Sequence, residues 1–303
     1  MRRTRAFTLV ELLVVVGIIG LLAAILVPTL QQAQELTNRT VCMSNLSGIN
    51  KAAVLYRGDN DNSWPWINNT IKAWDTTEVG TNRQKNPFLK TLSDANTAPR
   101  SVTAFMFMLV RGNQSPGMFR CPSDKTSVVA ENVKAGDDKD KSTGILEGEY
   151  YWDFYKAPNV SYSYQAPRHI TTGDTYVNGA DSTETELVVY ADMTPKYEGD
   201  KAWVPRDMSV NTLSQTDIEE QLSYNHKGKQ VNILRVASNV AAVKRPDVGD
   251  SQDQIYTTYG DDFTQRQKAT TVTLTTHTKA RDTFLIGPVG RNVASDANSS
   301  KSS

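Results

Sequence analysis

Residues 7–30 read FTLVELLVVVGIIGLLAAILVPTL, a run of 24 residues with one formal charge, Glu11. A helix rising about 1.5 Å per residue needs about 20 apolar residues to cross a hydrocarbon core of about 30 Å. Residues 7–27 supply 21. Arg2, Arg3 and Arg5 precede the run, and no Lys or Arg follows until Arg39. The positive-inside bias therefore keeps the N-terminus in the cytoplasm and places everything after Leu30 outside. The run also exceeds the roughly 7–15 residue apolar region of a secretory signal peptide. No small-x-small cleavage site precedes its polar continuation, so it reads as a retained anchor.

Glu11 is the anomaly in this segment. On insertion scales a carboxylate near the bilayer centre costs about 2.5–3.5 kcal/mol, and less toward the edge. A cut between Ala6 and Phe7 would create an α-amino group four residues before Glu11, at the N-terminal end of the same helix. That amine can pair with its own Glu11 or with Glu11 of an adjacent copy, and the second pairing makes the carboxylate an assembly device. The other reading is an ordinary anchor that tolerates one Glu near its end. Charge alone leaves both open.

Ala6 followed by Phe7-Thr8-Leu9-Val10-Glu11-Leu12-Leu13-Val14-Val15 resembles the prepilin cleavage and methylation signature of type IV pilins and type II secretion pseudopilins. Pro28 falls where such helices carry their kink. The resemblance implies cleavage after Ala6 by a prepilin peptidase on the cytoplasmic side and N-methylation of Phe7. It also implies an ion pair between Glu11 and the Phe7 amine of a neighbouring subunit. The partners that follow are membrane lipid before assembly, an inner-membrane assembly platform, and like subunits in a bacterial filament. One residue departs from the pattern, because Ala6 stands where Gly is usual. Alanine is small enough for such a site, so slower processing is expected rather than none.

The whole chain has 303 residues, with 33 Lys plus Arg against 33 Asp plus Glu. This balance gives no reason to expect nucleic acid as a partner. Without the three leader arginines, 30 basic side chains face 33 acidic ones, so the mature chain is mildly acidic. Only Cys42 and Cys121 occur, both in the part placed outside the cytoplasm, where oxidation is possible. One bridge between them would close a loop of roughly 80 residues, worth about 4.5 kcal/mol in the chain-entropy model. Two separate buried thiols are the alternative, since sequence gives no distance between them.

Beyond Pro28, Cys42, Leu46, Ile49, Ala53 and Tyr56 recur at spacings of four, three, four and three, on one helical face. The anchor is thus expected to continue through Pro28 as an amphipathic half. It should end at Arg57-Gly58-Asp59-Asn60-Asp61-Asn62, with Gly58 available for a left-handed cap. The expected organisation is a leader at 1–6, a transmembrane half at 7–30, an amphipathic half at 31–58, a head at 59–291 and a disordered tail at 292–303.

Within the head, residues 101–110 (SVTAFMFMLV) fit a buried helix or a strand equally. Phe119 to Asp124 reads as a turn delivering the second cysteine, and Lys125 to Gly148 as a solvated loop. Strand-like runs lie at 160–165, 186–191, 231–236, 240–244, 270–275 and 283–286, with 231–244 the best hairpin. Strands without intervening amphipathic helices give an antiparallel sheet, hence an α+β head on a long helix. That is the pilin architecture.

Several head segments extend the resemblance. Val41-Cys42-Met43-Ser44-Asn45-Leu46, Asp59-Asn60-Asp61, Cys121-Pro122-Ser123-Asp124, Ser161-Tyr162-Ser163-Tyr164 and His226 with Val231-Asn232-Ile233-Leu234 are similar to a large pseudopilin-like bacterial family. Its members end in a His-x9-Asp-Gly motif. Here Ala237-Ser238 stands at the Asp-Gly turn, one residue farther from His226. Residues 245–291 have no counterpart in this comparison.

No enzyme signature accompanies these features. His169, His226 and His277 lack metal spacings and are expected at the surface or in hydrogen bonds. There is no nucleophile elbow, P-loop or dinucleotide fingerprint. A calcium loop counted from Asp59 would want Gly and Glu where Trp64 and Thr70 stand. No cofactor, metal or catalytic residue is therefore expected. The function reading is a structural filament subunit. Trp64, Trp66 and Trp74, on polar loop-like sequence, are expected to staple a long loop onto the head; the alternative function is a membrane-anchored extracytoplasmic binding module or hydrolase, with these three tryptophans as its platform.

Overall fold

The computed structural model describes residues 8–65, 101–112, 114–125, 127, 152–154, 156–165, 168–170, 175–177, 185–193, 222–226, 228–245, 248–249, 255–256, 258–259, 266–267 and 285–286. Ala6, Phe7, Trp66, Trp74, His277, most of the loop at 125–148, the run at 270–275 and the tail from Asn292 lie outside the described residues.

Helix α1, Leu9–Asp59, is 51 residues long and passes through Pro28 without a break. Its two halves meet different surroundings. Large apolar side chains from Leu9 to Leu30 are exposed, between 47% and 79% of their surface. In a chain meant for water such a surface would be a defect, but in lipid it is the required one. The helix is long and apolar enough to cross a membrane. From Cys42 onward the pattern changes: Cys42, Leu46, Ile49, Ala52 and Ala53 are buried, and Tyr56 packs partly against the same core. The three–four periodicity places these residues on the stripe that faces the head.

Helix α1 ends inside the expected run at 57–62, but Gly58 is not its left-handed residue. The helix continues past Gly58 to Asp59, and the left-handed residues are Asp61 (φ 49°) and Asn62 (φ 57°). Short polar side chains tolerate that conformation because they bond locally. Arg57 donates to Asn62 Oδ1 at 2.6 and 3.1 Å, which holds the turn and makes a glycine unnecessary.

Residues 102–111 resolve the ambiguity in favour of a helix, α2 (Val102–Arg111), with eight buried side chains. Burial on nearly all sides explains why its sequence shows no amphipathic stripe. Strands β1 (Tyr162–Gln165), β4 (Val188–Asp192), β5 (Val231–Arg235), β6 (Val240–Val243) and β9 (Leu285–Ile286) form one antiparallel sheet, in the order β6-β5-β4-β1-β9. Two short pairs stand apart from it, β2 (Arg168–Ile170) with β3 (Thr175–Val177) and β7 (Thr258–Tyr259) with β8 (Arg266–Gln267).

The sheet has a core on each face. Helix α1 packs on β5 and β6, and α2 packs on α1 and β1. Here Trp64, Phe105, Tyr162, Tyr164, Tyr190 and Leu234 are buried together with the α1 stripe. On the opposite face Val188, Ala191, Val231, Ile233, Ile255, Tyr256 and Leu285 form a second cluster. In β5 the alternation is regular, with Val231 and Ile233 on that second face. In β4 a register shift between Val188 and Tyr190 puts Val188 and Ala191, three apart, on the same face. Covering both faces accounts for the nearly continuous apolar run of β4.

The hairpin β5–β6 pairs Val231 with Val243 and Leu234 with Val240. Its turn is closed by Ser238, which adopts φ 64° where a glycine would be unstrained. A non-glycine residue there costs roughly 1–2 kcal/mol.

Candidate functional site

At the N-terminus of α1, Thr8 and Glu11 form a capping box. Thr8 donates to Glu11 Oε2 from its amide at 2.9 Å and from its hydroxyl at 2.8 Å, and the Glu11 amide donates back to Thr8 Oγ1 at 3.3 Å. The Thr-x-x-Glu spacing before an apolar run is a helix-start signature visible in the sequence. It satisfies helix amides that would otherwise be bare, and it holds the carboxylate at the helix start, beside the position where cleavage would leave an amine. Pro28 lies within the exposed apolar half. Thr29 Oγ1 donates to Leu26 O at 2.8 Å beside it.

The junction between helix and head holds the second constellation. Cys42 on α1 and Cys121 are joined as a disulfide, 79 positions apart in sequence with Cα atoms 5.4 Å apart. Cys121 follows a single 3-10 turn at Pro116–Phe119, and Asn45 of α1 donates to the Arg120 carbonyl at 2.8 Å. Next to the sulfurs lies His226, which is hydrogen-bonded rather than at the surface. It is fully buried. Its Nδ1 is 3.0 Å from Glu35 Oε1, and its Nε2 is 3.3 Å from Asp192 Oδ2, 3.1 Å from the Asn232 amide and 3.7 Å from Cys121 Sγ.

Each partner is itself held. Glu35 accepts from Arg39 Nε at 3.2 Å and from Ser123 Oγ at 2.9 Å. Asp192 Oδ2 accepts from the Asn232 amide N–H at 2.7 Å. Burial works against charge on His226, but hydrogen bonding and Coulomb attraction from Asp192, and then from Glu35, outweigh it and raise its pKa above the ordinary histidine value. For Glu35 burial acts upward, yet the bonds from His226 and Ser123, with His226 and Arg39 nearby, leave its pKa lowered. The result is a chain of alternating charge from Arg39 through Glu35 and His226 to Asp192, running from helix to sheet.

The pH dependence has a definite sign. A group with a raised folded pKa contributes stability that is complete below its unfolded value, about 6.5 for His, and is lost as pH rises through the folded value. Glu35, lowered, contributes stability present above about 4.3 and lost as pH falls through its folded value. The disulfide-closed protein is therefore expected to resist denaturant best near pH 5–6 and to lose stability steadily on going to pH 9. Chemical unfolding curves at both pH values check this. A midpoint that rises toward pH 9 would contradict the charged His226.

Sequence spacing missed this centre because its parts come from positions 35, 42, 121, 192 and 226. A weaker signal was available. Asn232 and Asp192 are polar breaks in apolar strands, and a polar residue at a core position needs a partner. Among the described residues, Cys42, Cys121, Asp192 and His226 also bring potential ligand atoms within 4.8 Å of one another. The acidic turn at 59–62 gathers no such set among the described residues.

Trp64 does not stand on a platform. It is fully buried, with its ring centroid 6.5 Å from that of Tyr190, and Arg57 lies 5.3 Å over it. It staples the segment after α1 onto the core. Stapling of this kind is the role expected above for the tryptophans on this polar, loop-like stretch.

A long helix with an exposed apolar half, opening at Thr8-x-x-Glu11 and laid against an antiparallel sheet, gives an α+β architecture consistent with the pilin fold. A family model described as the prokaryotic N-terminal methylation motif matches residues 1–27. The chain is 43% identical over 61 residues to the "Type IV wide pilus major component PilA4" of Thermus thermophilus, covering 20% of this chain and 47% of that one. It is 37% identical over 71 residues to "Type II secretion system core protein G" of Pectobacterium carotovorum, 23% of this chain and 45% of that one. The corresponding protein of Klebsiella pneumoniae is 40% identical over 60 residues, 20% of this chain and 43% of that one. The N-terminal portion is thus homologous to type IV pilins and type II secretion pseudopilins, and the chain spans under half the length of these relatives. No solved structure matches it.

Proposed function

We propose that this chain is a structural subunit of a type IV pilus-like or type II secretion pseudopilus filament. A prepilin peptidase cleaves it between Ala6 and Phe7, Phe7 is N-methylated, and an inner-membrane platform draws it into a polymer of like subunits. Before assembly the helix spans the inner membrane, with the N-terminus cytoplasmic and the head outside. The observation that carries this reading is the continuity of α1. One unbroken helix joins the methylation motif to a buried stripe on the head, so moving the helix moves the head as one body.

The mechanism is packing plus one ion pair. Leaving lipid for a bundle of like helices changes hydrophobic burial little, so close packing and charge neutralisation supply the specificity. Glu11 meets the Phe7 amine of a neighbouring subunit, while Pro28 introduces a place in the apolar half where a helix hydrogen bond is missing. The head at 59–291 is bulky for a repeating shaft, so a place as a minor tip subunit stands beside that of a repeating one. Burial of Trp64 removes support from the alternative of a head acting as a tryptophan-platform binding module.

Electron microscopy of sheared surface filaments, with subunits identified by mass, tests the proposal. Recovery of this chain from filaments supports it. Its recovery only from membranes, with filaments intact and lacking it, would count against it.

A further inference from the structure

The helix–head junction contains more than a disulfide needs. His226 presents Nε2 toward Cys121 Sγ at 3.7 Å and toward Asp192 Oδ2 at 3.3 Å, while its Nδ1 is held by Glu35 at 3.0 Å. A tetrahedral zinc centre has Zn–S of about 2.3 Å and Zn–N or Zn–O of about 2.0–2.2 Å, which sets ligand-to-ligand edges of about 3.6 Å for S to N and about 3.4 Å for N to O. Both observed separations match those edges. A carboxylate on the far ring nitrogen is the usual device that fixes a metal-binding histidine's tautomer and orientation. Asp192 adds an independent sign, because its other oxygen, Oδ1, is buried with no hydrogen-bond partner among the described residues. We propose that the reduced chain binds one thiophilic divalent cation, zinc(II) foremost, through Cys42 Sγ, Cys121 Sγ, His226 Nε2 and a carboxylate oxygen of Asp192.

Metal and disulfide are then alternative closures of one junction. Reduction of the bond consumes two electrons and two protons from a dithiol reductant and gives two thiols. Zinc binding expels those two protons, and a charged His226 releases its Nε2 proton as well. Oxidation of the zinc-bound thiolates passes two electrons to a disulfide oxidant, which takes two protons from solvent and leaves as two thiols, while the S–S bond re-forms and the ion is freed. The sulfurs need to separate to about 3.8 Å in the metal form, which rotation about the Cα–Cβ bonds provides. All four ligands are buried, so the cation enters as the reduced chain folds. A chain exported before oxidation would thereby hold its helix against its head from the start. The inference is independent of filament assembly.

The test uses the full-length chain in detergent, reduced with a phosphine that carries no thiol, beside the oxidised chain. Titration with cobalt(II) chloride is expected to give one ion per reduced chain, with the intense visible bands of a tetrahedral site and sulfur-to-cobalt charge transfer. Zinc chloride should displace the cobalt, and the oxidised chain should show neither band. His226→Gln is expected to weaken binding at least tenfold, and Glu35→Gln, which acts only through the ring, by about 10–100-fold. Absence of stoichiometric cobalt binding by the reduced wild-type chain overturns the proposal. So does a thiolate spectrum that His226→Gln and Asp192→Asn leave unchanged. If His226→Gln does not fold, the wild-type spectrum and the Glu35→Gln affinity decide.

Discussion

Replacing Glu11 with alanine is expected to leave the chain inserted and its leader removed, yet to take it out of the filament fraction altogether. Among the described residues this carboxylate is occupied by Thr8, whose amide and hydroxyl donate to it. Those bonds satisfy oxygen lone pairs without neutralising the charge. A carboxylate in the apolar run still carries a cost of up to about 2.5–3.5 kcal/mol at the bilayer centre, and less near the edge. In the proposed processing, cleavage after Ala6 supplies the missing cation. The substitution removes two things at once, the carboxylate half of the capping box and the charge, so a second variant is needed. Glutamine serves at the same place of a capping box as glutamate does, and Glu11→Gln therefore keeps the cap while losing the charge. Both variants are expected to fail in assembly. Filaments formed by Glu11→Gln but not by Glu11→Ala would assign the role to the cap, and normal filaments from both would remove the ion pair from the mechanism.

The second large effect concerns the junction. Converting Cys42 and Cys121 to alanine is expected to cost about 4.5 kcal/mol by the loop-entropy estimate, near the top of the usual 2–5 kcal/mol range. With a shift of roughly 2–4 °C per kcal/mol for a head of this size, the melting temperature should fall by roughly 10–15 °C. The bond joins the buried face of α1 to the segment just after the 3-10 turn at Pro116–Phe119, beside the Glu35–His226 contact. Its loss leaves the helix held by apolar packing and one buried charge network. Thermal unfolding of the oxidised wild type against the double variant, both in detergent, measures this. A difference of under about 2 °C would mean that packing alone fixes the helix.

How much of this was legible in the sequence depended on the range of the contact. Both halves of α1 were readable because each repeats over many turns: an unbroken apolar run to Leu30, then the stripe from Cys42 to Tyr56. Hairpin β5–β6 was readable for the same local reason. Helix α2 was not, because burial on nearly every side erases the amphipathic pattern that separates a short helix from a strand. The cap at Thr8–Glu11 stood in plain view as a Thr-x-x-Glu spacing, hidden by the stronger resemblance of the same residues to a processing signal. The His226 centre was out of reach for another reason. Its ion pair with Glu35 spans 191 positions, and only the pairing of β4 with β5 brings Asp192 and Asn232 to the same place. The break of apolar pattern at those two residues marks a polar requirement, though not its partner.

The account rests on proteolysis giving this helix a cationic start. Mass analysis of the N-terminal peptide from the mature chain tests that directly. A peptide beginning at N-methylated Phe7 is the predicted result, and a chain from assembled filaments that still begins with Met1 and its three arginines would contradict it.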